Sequence, residues 1–225
     1  MQAETASGAP LAPGEHRIFI PGPQGALQAL VSVPAGARAD ALAVICHPHS
    51  LMGGSLDNKV VFTLHRAARD QGLTSIRFNF RGVGQSAGAF DQGVGEQDDL
   101  LAVLDWARSR LGLRRLWLAG FSFGAFVAAM AWPRALAAGW SPLRLVLAAP
   151  PVTRFPLQGL QLPADTDVIH GDADEVVDPQ AITDWLATQS GARSTVFTGA
   201  GHFFHGRLPD LKDWADAGLQ ELLHD

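Results

Sequence analysis

The segment Gly120-Phe121-Ser122-Phe123-Gly124 joins an apolar extended run, Leu116-Trp117-Leu118-Ala119, to a run of small helix formers, Ala125-Phe126-Val127-Ala128-Ala129-Met130. A chain that passes so abruptly from buried strand to buried helix must turn sharply, and glycine tolerates the crowding on either side of that turn. The turn lifts the serine hydroxyl above the sheet, the setting in which a serine becomes a nucleophile. An apolar run of this length reads as a buried parallel strand, and the residues after it as a helix packed closely on a sheet.

The spacing alone is weak evidence. Gly84-Gln85-Ser86-Ala87-Gly88 repeats G-x-S-x-G after another extended run, Ser75-Ile76-Arg77-Phe78-Asn79-Phe80. The residues after Ser86, Ala87-Gly88-Ala89-Phe90-Asp91-Gln92-Gly93, have loop composition with no helical period. Without a helix there is no helix N-terminus to stabilise an anionic intermediate. With 24 glycines in the chain an accidental match is unsurprising, so Ser86 reads as a loop residue.

Extended runs occupy residues 16–20, 27–33, 41–46, 74–80, 115–119, 143–148, 167–170 and 195–197. Asp57 or Asn58 can cap a helix running to about Gln71, with Val60, Val61, Leu64 and Ala67 on one face. Besides the helix after Ser122, further helices are expected from near Glu96 to Arg110, after the Asp178 cap with Pro179 at its first position, and over residues 211–223. Two antiparallel-looking strands followed by β-α repeats imply a mostly parallel sheet of about eight strands with helices on both faces.

At 225 residues, with no internal Pro, Ser or charge-rich divider, the chain reads as one α/β domain over residues 15–225 behind a loose tail, residues 1–14. The tail lacks the basic start and apolar centre of a signal peptide. A net charge of −5 with both signs dispersed gives no basic stripe for nucleic acid and no basic amphipathic helix for a membrane surface. The single cysteine, Cys46, excludes an internal disulfide and fits a reducing, cytoplasmic compartment. Residues 116–133 form a nearly uncharged apolar run, but the glycine-flanked turn at its centre and Trp132-Pro133-Arg134 at its end fit a strand, a turn and a buried helix better than a bilayer span.

In open sheets of this kind chemistry gathers at the carboxyl ends of the strands. The polar residues there are His47-Pro48-His49-Ser50-Leu51-Met52-Gly53-Gly54, Gly171-Asp172-Ala173-Asp174-Glu175 and Gly199-Ala200-Gly201-His202-Phe203-Phe204-His205-Gly206. With Ser122 they supply nucleophile, acid and base in the order Ser, Asp, His.

The chain now resembles the α/β-hydrolase superfamily, specifically a small bacterial branch of serine hydrolases marked by an HPH-x-LMGG loop. The matching residues are the loop from His47 to Gly54, Asp57-Asn58-Lys59-Val60-Val61, Arg77-Phe78-Asn79-Phe80-Arg81-Gly82-Val83-Gly84, the Ser122 turn, Gly171-Asp172-Ala173-Asp174 and Gly201-His202-Phe203-Phe204. The likeness spans about residues 16–223. It places Ser86 in a loop where the superfamily often has a structural serine. Asn79 departs from the Asp of many relatives, at a position not expected in catalysis.

The resemblance implies that Ser122 attacks while His202 takes its proton, with Asp174 holding the imidazole tautomer. The backbone N–H of Phe123 is the first expected oxyanion donor. Pro48 has no N–H, so His49 is the second, with Ser50 behind it. Asp172 competes with Asp174 as the acid, but its place directly after Gly171 suits a turn. His205 competes with His202, and the resemblance favours His202. His47 is expected to orient its loop, Asp178 to cap a helix, Glu175 to be solvated, and Cys46 to be an inert core thiol. Leu51, Phe203 and Phe204 are expected at the substrate, although the two phenylalanines could equally fill the core. Four histidines in HPH and HFFH pairs are weak evidence for a metal, and neither metal nor cofactor is expected.

Only residues 150–163 separate the sixth and seventh strands, with too much proline and too little period for a helical cap domain. The site should therefore be open and shallow, which favours short-chain or polymeric esters over a long buried acyl chain. Ester or thioester hydrolysis of a small molecule through an acyl-enzyme is the expected activity, with a peptidase, an amidase or a non-catalytic binding protein as alternatives on the same fold. The sequence is silent on oligomeric state.

Overall fold

Eight strands form one sheet in the spatial order β1-β2-β4-β3-β5-β6-β7-β8. They are β1 (Gly14–Gly22), β2 (Gly25–Val33), β3 (Ala41–Cys46), β4 (Thr74–Phe78), β5 (Arg115–Phe121), β6 (Ser141–Ala148), β7 (Thr166–Gly171) and β8 (Arg193–Phe197). The computed structural model describes residues 11–224. Residues 1–10 of the expected tail lie outside them, and Gly14 already opens β1. Strand β2 pairs antiparallel with β1 and with β4, whereas β3 to β8 pair in parallel. The hairpin therefore stands at one edge, and the parallel strands bring their carboxyl ends to one rim.

Five helices complete the described fold: α1 (Lys59–Asp70), α2 (Val94–Leu111), α3 (Phe123–Ala137), α4 (Pro179–Leu186) and α5 (Leu208–His224). Residues of β3 are buried throughout, and they alternate between two cores. Leu42, Val44 and Cys46 pack with Leu100 and Val103 of α2, Val127 of α3 and Ile182 of α4. Ala41, Ala43 and Ile45 pack with Val61 and Leu64 of α1 and Leu211 and Ala215 of α5. A parallel strand covered on both faces has no polar side to show, which is why these strands read as continuous apolar runs.

Several boundaries depart from the sequence reading. Strand β4 ends at Phe78 rather than residue 80, because Asn79 and Phe80 turn away to bond the β2 backbone and the His47 ring. Helix α3 continues through Pro133 to Ala137, although the proline removes one intrahelical donor. Burial of Trp132, Ala131 and Ala135 against the sheet outweighs that loss. Asn58, not Asp57, caps α1, accepting from the N–H groups of Val60 and Val61. Between β6 and β7 the chain makes turns only, with no helix.

Candidate active site

The turn after β5 requires its glycines. A Cβ on Gly120 would lie 2.1 Å from the Gly124 carbonyl oxygen, and one on Gly124 would lie 2.3 Å from that of Cys46. Between them Ser122 sits at φ 53°, ψ −119°, a conformation that costs a non-glycine residue of order 1–3 kcal/mol. The Ser122 N–H donates to the Ala148 carbonyl at 2.8 Å, anchoring the turn to the end of β6.

Ser122 Oγ lies 3.0 Å from Nε2 of His202, and Nδ1 of the same ring lies 2.8 Å from Oδ2 of Asp174. Oδ1 of Asp174 accepts from the N–H groups of Val176 and Val177, each at 2.8 Å. Burial pushes the Asp174 carboxyl upward, but the His202 bond and the two amides outweigh it and hold the group below the usual carboxylate range. An ionised Asp174 can only accept, so the proton sits on Nδ1 and the Nε2 lone pair faces the serine hydroxyl. Phe121 and Phe203 flank the His202 ring, each with ring centroids 5.1 Å from it.

The loops that carry these groups are tied together. Asp172 accepts from the Gly199 N–H, the Ala173 N–H donates to the Ala200 carbonyl, and Glu175 Oε2 accepts from the His202 N–H at 3.1 Å. Asp172 is thus a turn clip and makes no bond to His202. Glu175, expected to be merely solvated, buttresses the His202 backbone. Nothing in its spacing distinguishes it from an ordinary exposed acid.

His47 is buried and bridges the third-strand loop to the fourth. Its Nε2 accepts from the Phe80 N–H at 3.1 Å, so Nδ1 carries the proton and donates to the Pro48 carbonyl at 2.6 Å. Burial lowers its pKa to about 4. The loop then makes a single 3-10 turn, Ser50–Met52, and closes where the Gly54 N–H donates to the His49 carbonyl. A Cβ on Gly54 would lie 2.1 Å from the Pro48 carbonyl oxygen, so only glycine fits there. Among the described residues, the backbone N–H groups of His49 and Phe123 have no intramolecular acceptor. Ser50 Oγ is buried without a hydrogen-bond partner.

A cleft of about 410 Å³ opens over Ser122 and His202. Phe203 lines it, as do His49 and Phe123. Two expected lining residues do not. Phe204 is fully buried in the core under α5, edge-on to Phe197, because its φ of 51° turns consecutive side chains to opposite sides. Leu51 is 70% exposed on the 3-10 turn, and Met52 and Gly53 form the wall instead. His205 lies outside the cleft, stacked on Phe203. Cys46 is buried, and desolvation raises its thiol far above the ordinary range. No group of three or more His, Cys, Asp or Glu able to hold a metal occurs among the described residues. Ser86 donates to the Asn79 carbonyl and accepts from the Gln28 N–H, which makes it a loop staple.

A second wall of the cleft, formed by Pro151, Arg154 and Phe155, was not foreseen from sequence. Its short turns give no periodic signal.

The doubly covered parallel sheet, the strained serine between strand and helix, and the Ser–His–Asp chain at the carboxyl rim define an α/β-hydrolase. Residues 44–138 match the family model described as alpha/beta hydrolase fold. The structure of XC6422 from Xanthomonas campestris, described as an α/β serine hydrolase without lid, is 42% identical, with 95% of this chain and 97% of that chain covered and a TM-score of 0.87. An α/β serine hydrolase homologue from Coxiella burnetii is 39% identical, covering 93% of this chain and 99% of its own, with a TM-score of 0.84. An uncharacterized protein of Rickettsia prowazekii, RP471, is 31% identical over 216 residues, 87% of this chain and 84% of the relative. The chain therefore belongs to the α/β-hydrolases and is similar to their lid-less serine hydrolases. Among the described residues, no helix is long and apolar enough to cross a membrane.

Proposed function

We propose that the protein is a serine esterase that cleaves small carboxylic esters through an acyl-enzyme, with Ser122, His202 and Asp174 as its catalytic triad. The observation that carries this is the unbroken chain of 3.0 Å and 2.8 Å contacts from Ser122 Oγ through His202 to Asp174 at the floor of an open cleft. Ser122 Oγ attacks the ester carbonyl as its proton passes to Nε2. Ionised Asp174 stabilises the imidazolium, and the protonated ring then donates to the departing alkoxide. A water deprotonated by the same nitrogen releases the acid and restores the serine. The N–H groups of Phe123 and His49, without acceptors among the described residues, would receive the developing oxyanion. A pair of such donors is worth several kcal/mol, about 3 for each.

The cleft supports a small ester rather than a long chain, since turns alone bridge β6 to β7 and, among the described residues, no cap closes over it. Its apolar wall of Phe123 and Phe155 suits a short acyl group, and a thioester would use the same steps. A fluorophosphonate probe is expected to label Ser122, as located by mass spectrometry, and His202→Ala to lose that label. A folded protein that reacts with neither the probe nor 4-nitrophenyl butyrate would overturn the reading in favour of a binding role.

A further inference from the structure

Fifteen of the described residues line the cleft, and among them Arg154 is the one with a permanent charge. Its position is fixed while its head group is free. The N–H groups of Arg154 and Phe155 both donate to the Pro151 carbonyl, at 3.0 and 3.2 Å, forming a tight turn. Phe155 stacks on Phe126 of α3 with centroids 4.8 Å apart, and it also packs against Phe123, pinning that turn to the floor of the site. Among the described residues the Arg154 guanidinium makes no hydrogen bond and no ion pair. By contrast, Arg81 is locked to Asp99 and the Gly95 carbonyl.

The acids around the cleft offer it no partner. Asp174 is engaged by His202 and two amides, and Glu96, buried at the start of α2, accepts from the Asp91 and Gly93 N–H groups. The field of Arg154 does reach the cleft. The His49 ring is lowered first by burial, and of the charges acting on it Glu96 raises it and Arg154 lowers it. An apolar cleft with one unpaired cation at its wall favours a substrate that is apolar along its length and anionic at one end. Arginine's planar fork matches a carboxylate in bidentate fashion.

We infer that Arg154 is a specificity-determining residue that binds a carboxylate carried by the ester, so that the preferred substrates are anionic esters rather than neutral ones. This rests on the esterase reading above. An anion bound there is held in the ground state and in the transition state alike, so its loss should appear mainly in KM.

Two matched substrate pairs test it. In one the carboxylate ends the acyl chain, 4-nitrophenyl hydrogen adipate against 4-nitrophenyl hexanoate. In the other it lies on the alcohol, 3-carboxyphenyl butyrate against phenyl butyrate. The wild-type protein is expected to favour the anionic member of at least one pair by about tenfold in kcat/KM, the size of a charge-assisted hydrogen bond. Arg154→Met should erase that preference through KM, leave the neutral esters within about twofold, and keep fluorophosphonate labelling of Ser122. Arg154→Lys should restore part of it. Neutral esters hydrolysed with no Arg154-dependent preference in either pair would overturn the inference and leave the esterase intact. Equal losses on both members of a pair would assign Arg154 a structural role instead. Failure of the wild-type protein on all four esters would remove the esterase reading, and the inference with it.

Discussion

Two acids two residues apart, Asp172 and Asp174, show what a single side chain decides. Asp174 is buried and bonded to the His202 ring, whereas exposed Asp172 clips the Gly199 N–H. Asp174→Asn should leave the shape but offer Nδ1 an ambiguous partner, allowing the tautomer that points a proton at Ser122. A fall of about 10⁴ in kcat is expected. Asp172→Asn should keep kcat within about threefold, since it removes charge from one turn bond and touches no reacting group. Equal losses in 4-nitrophenyl butyrate assays of the two variants would contradict the assignment. Much at this scale was legible in the sequence: a glycine-flanked serine before a helix, against one before a loop, separates Ser122 from Ser86. Phe203 and Phe204 were not separable, because a left-handed φ at Phe204, rather than any side-chain property, sends one ring to the cleft and the other to the core. Arg154 was illegible for the opposite reason. A lone exposed arginine looks the same in sequence whether it faces solvent or a cleft.

At the scale of elements, the central strands could be read because burial on both faces leaves an unmistakable apolar run, and most helices because of one apolar face or a cap. Their ends could not, since they depend on partners elsewhere: β4 stops where Phe80 meets the His47 ring, and α3 outlasts Pro133 because its face is buried. The loop after β3 is the element whose shape matters most to the proposed chemistry. It is held by the His47–Pro48 and Phe80–His47 bonds at its start and by the Gly54–His49 bond at its close. Gly54→Ala places a methyl 2.1 Å from the Pro48 carbonyl oxygen, so that carbonyl and the adjoining His49 N–H must move. Displacing one oxyanion donor costs about 3 kcal/mol, so kcat should fall on the order of 100-fold. Far-ultraviolet circular dichroism should stay unchanged, because the loop contributes no strand. Full activity in Gly54→Ala would remove His49 from the proposed oxyanion site.

For the molecule as a whole, two buried histidines tie folding to pH. His47 is pulled down to about 4 by burial, and His65 to about 3 by burial and then by the charge of Arg77. His47 is also committed as a neutral ring by its hydrogen bonds. His47 Nε2 must accept from Phe80, and a proton there would set two donors face to face. His65 lies between the hydroxyls of Ser32 and Ser75, joining α1 to β2 and β4. Both pKa values lie below the 6.5 of a free imidazole, so between pH 6.5 and about 4 the unfolded chain binds more protons than the native one. Stability is therefore full above pH 6.5 and declines as the solution is acidified. At pH 5 each ring is about 1.5 pH units below its unfolded midpoint, costing about 2 kcal/mol, or about 4 together. The depressed carboxyl of Asp174 adds its own loss only at lower pH, near and below the ordinary carboxylate range. Urea midpoints measured at pH 7 and pH 5 isolate the histidines. The wild-type protein is expected to lose about 4 kcal/mol across that interval, and His47→Gln about half as much. Glutamine can keep both hydrogen bonds without titrating, so its flatter profile would assign the missing half to His47, whereas an unchanged profile would mean that the ring does not carry that share of the pH dependence.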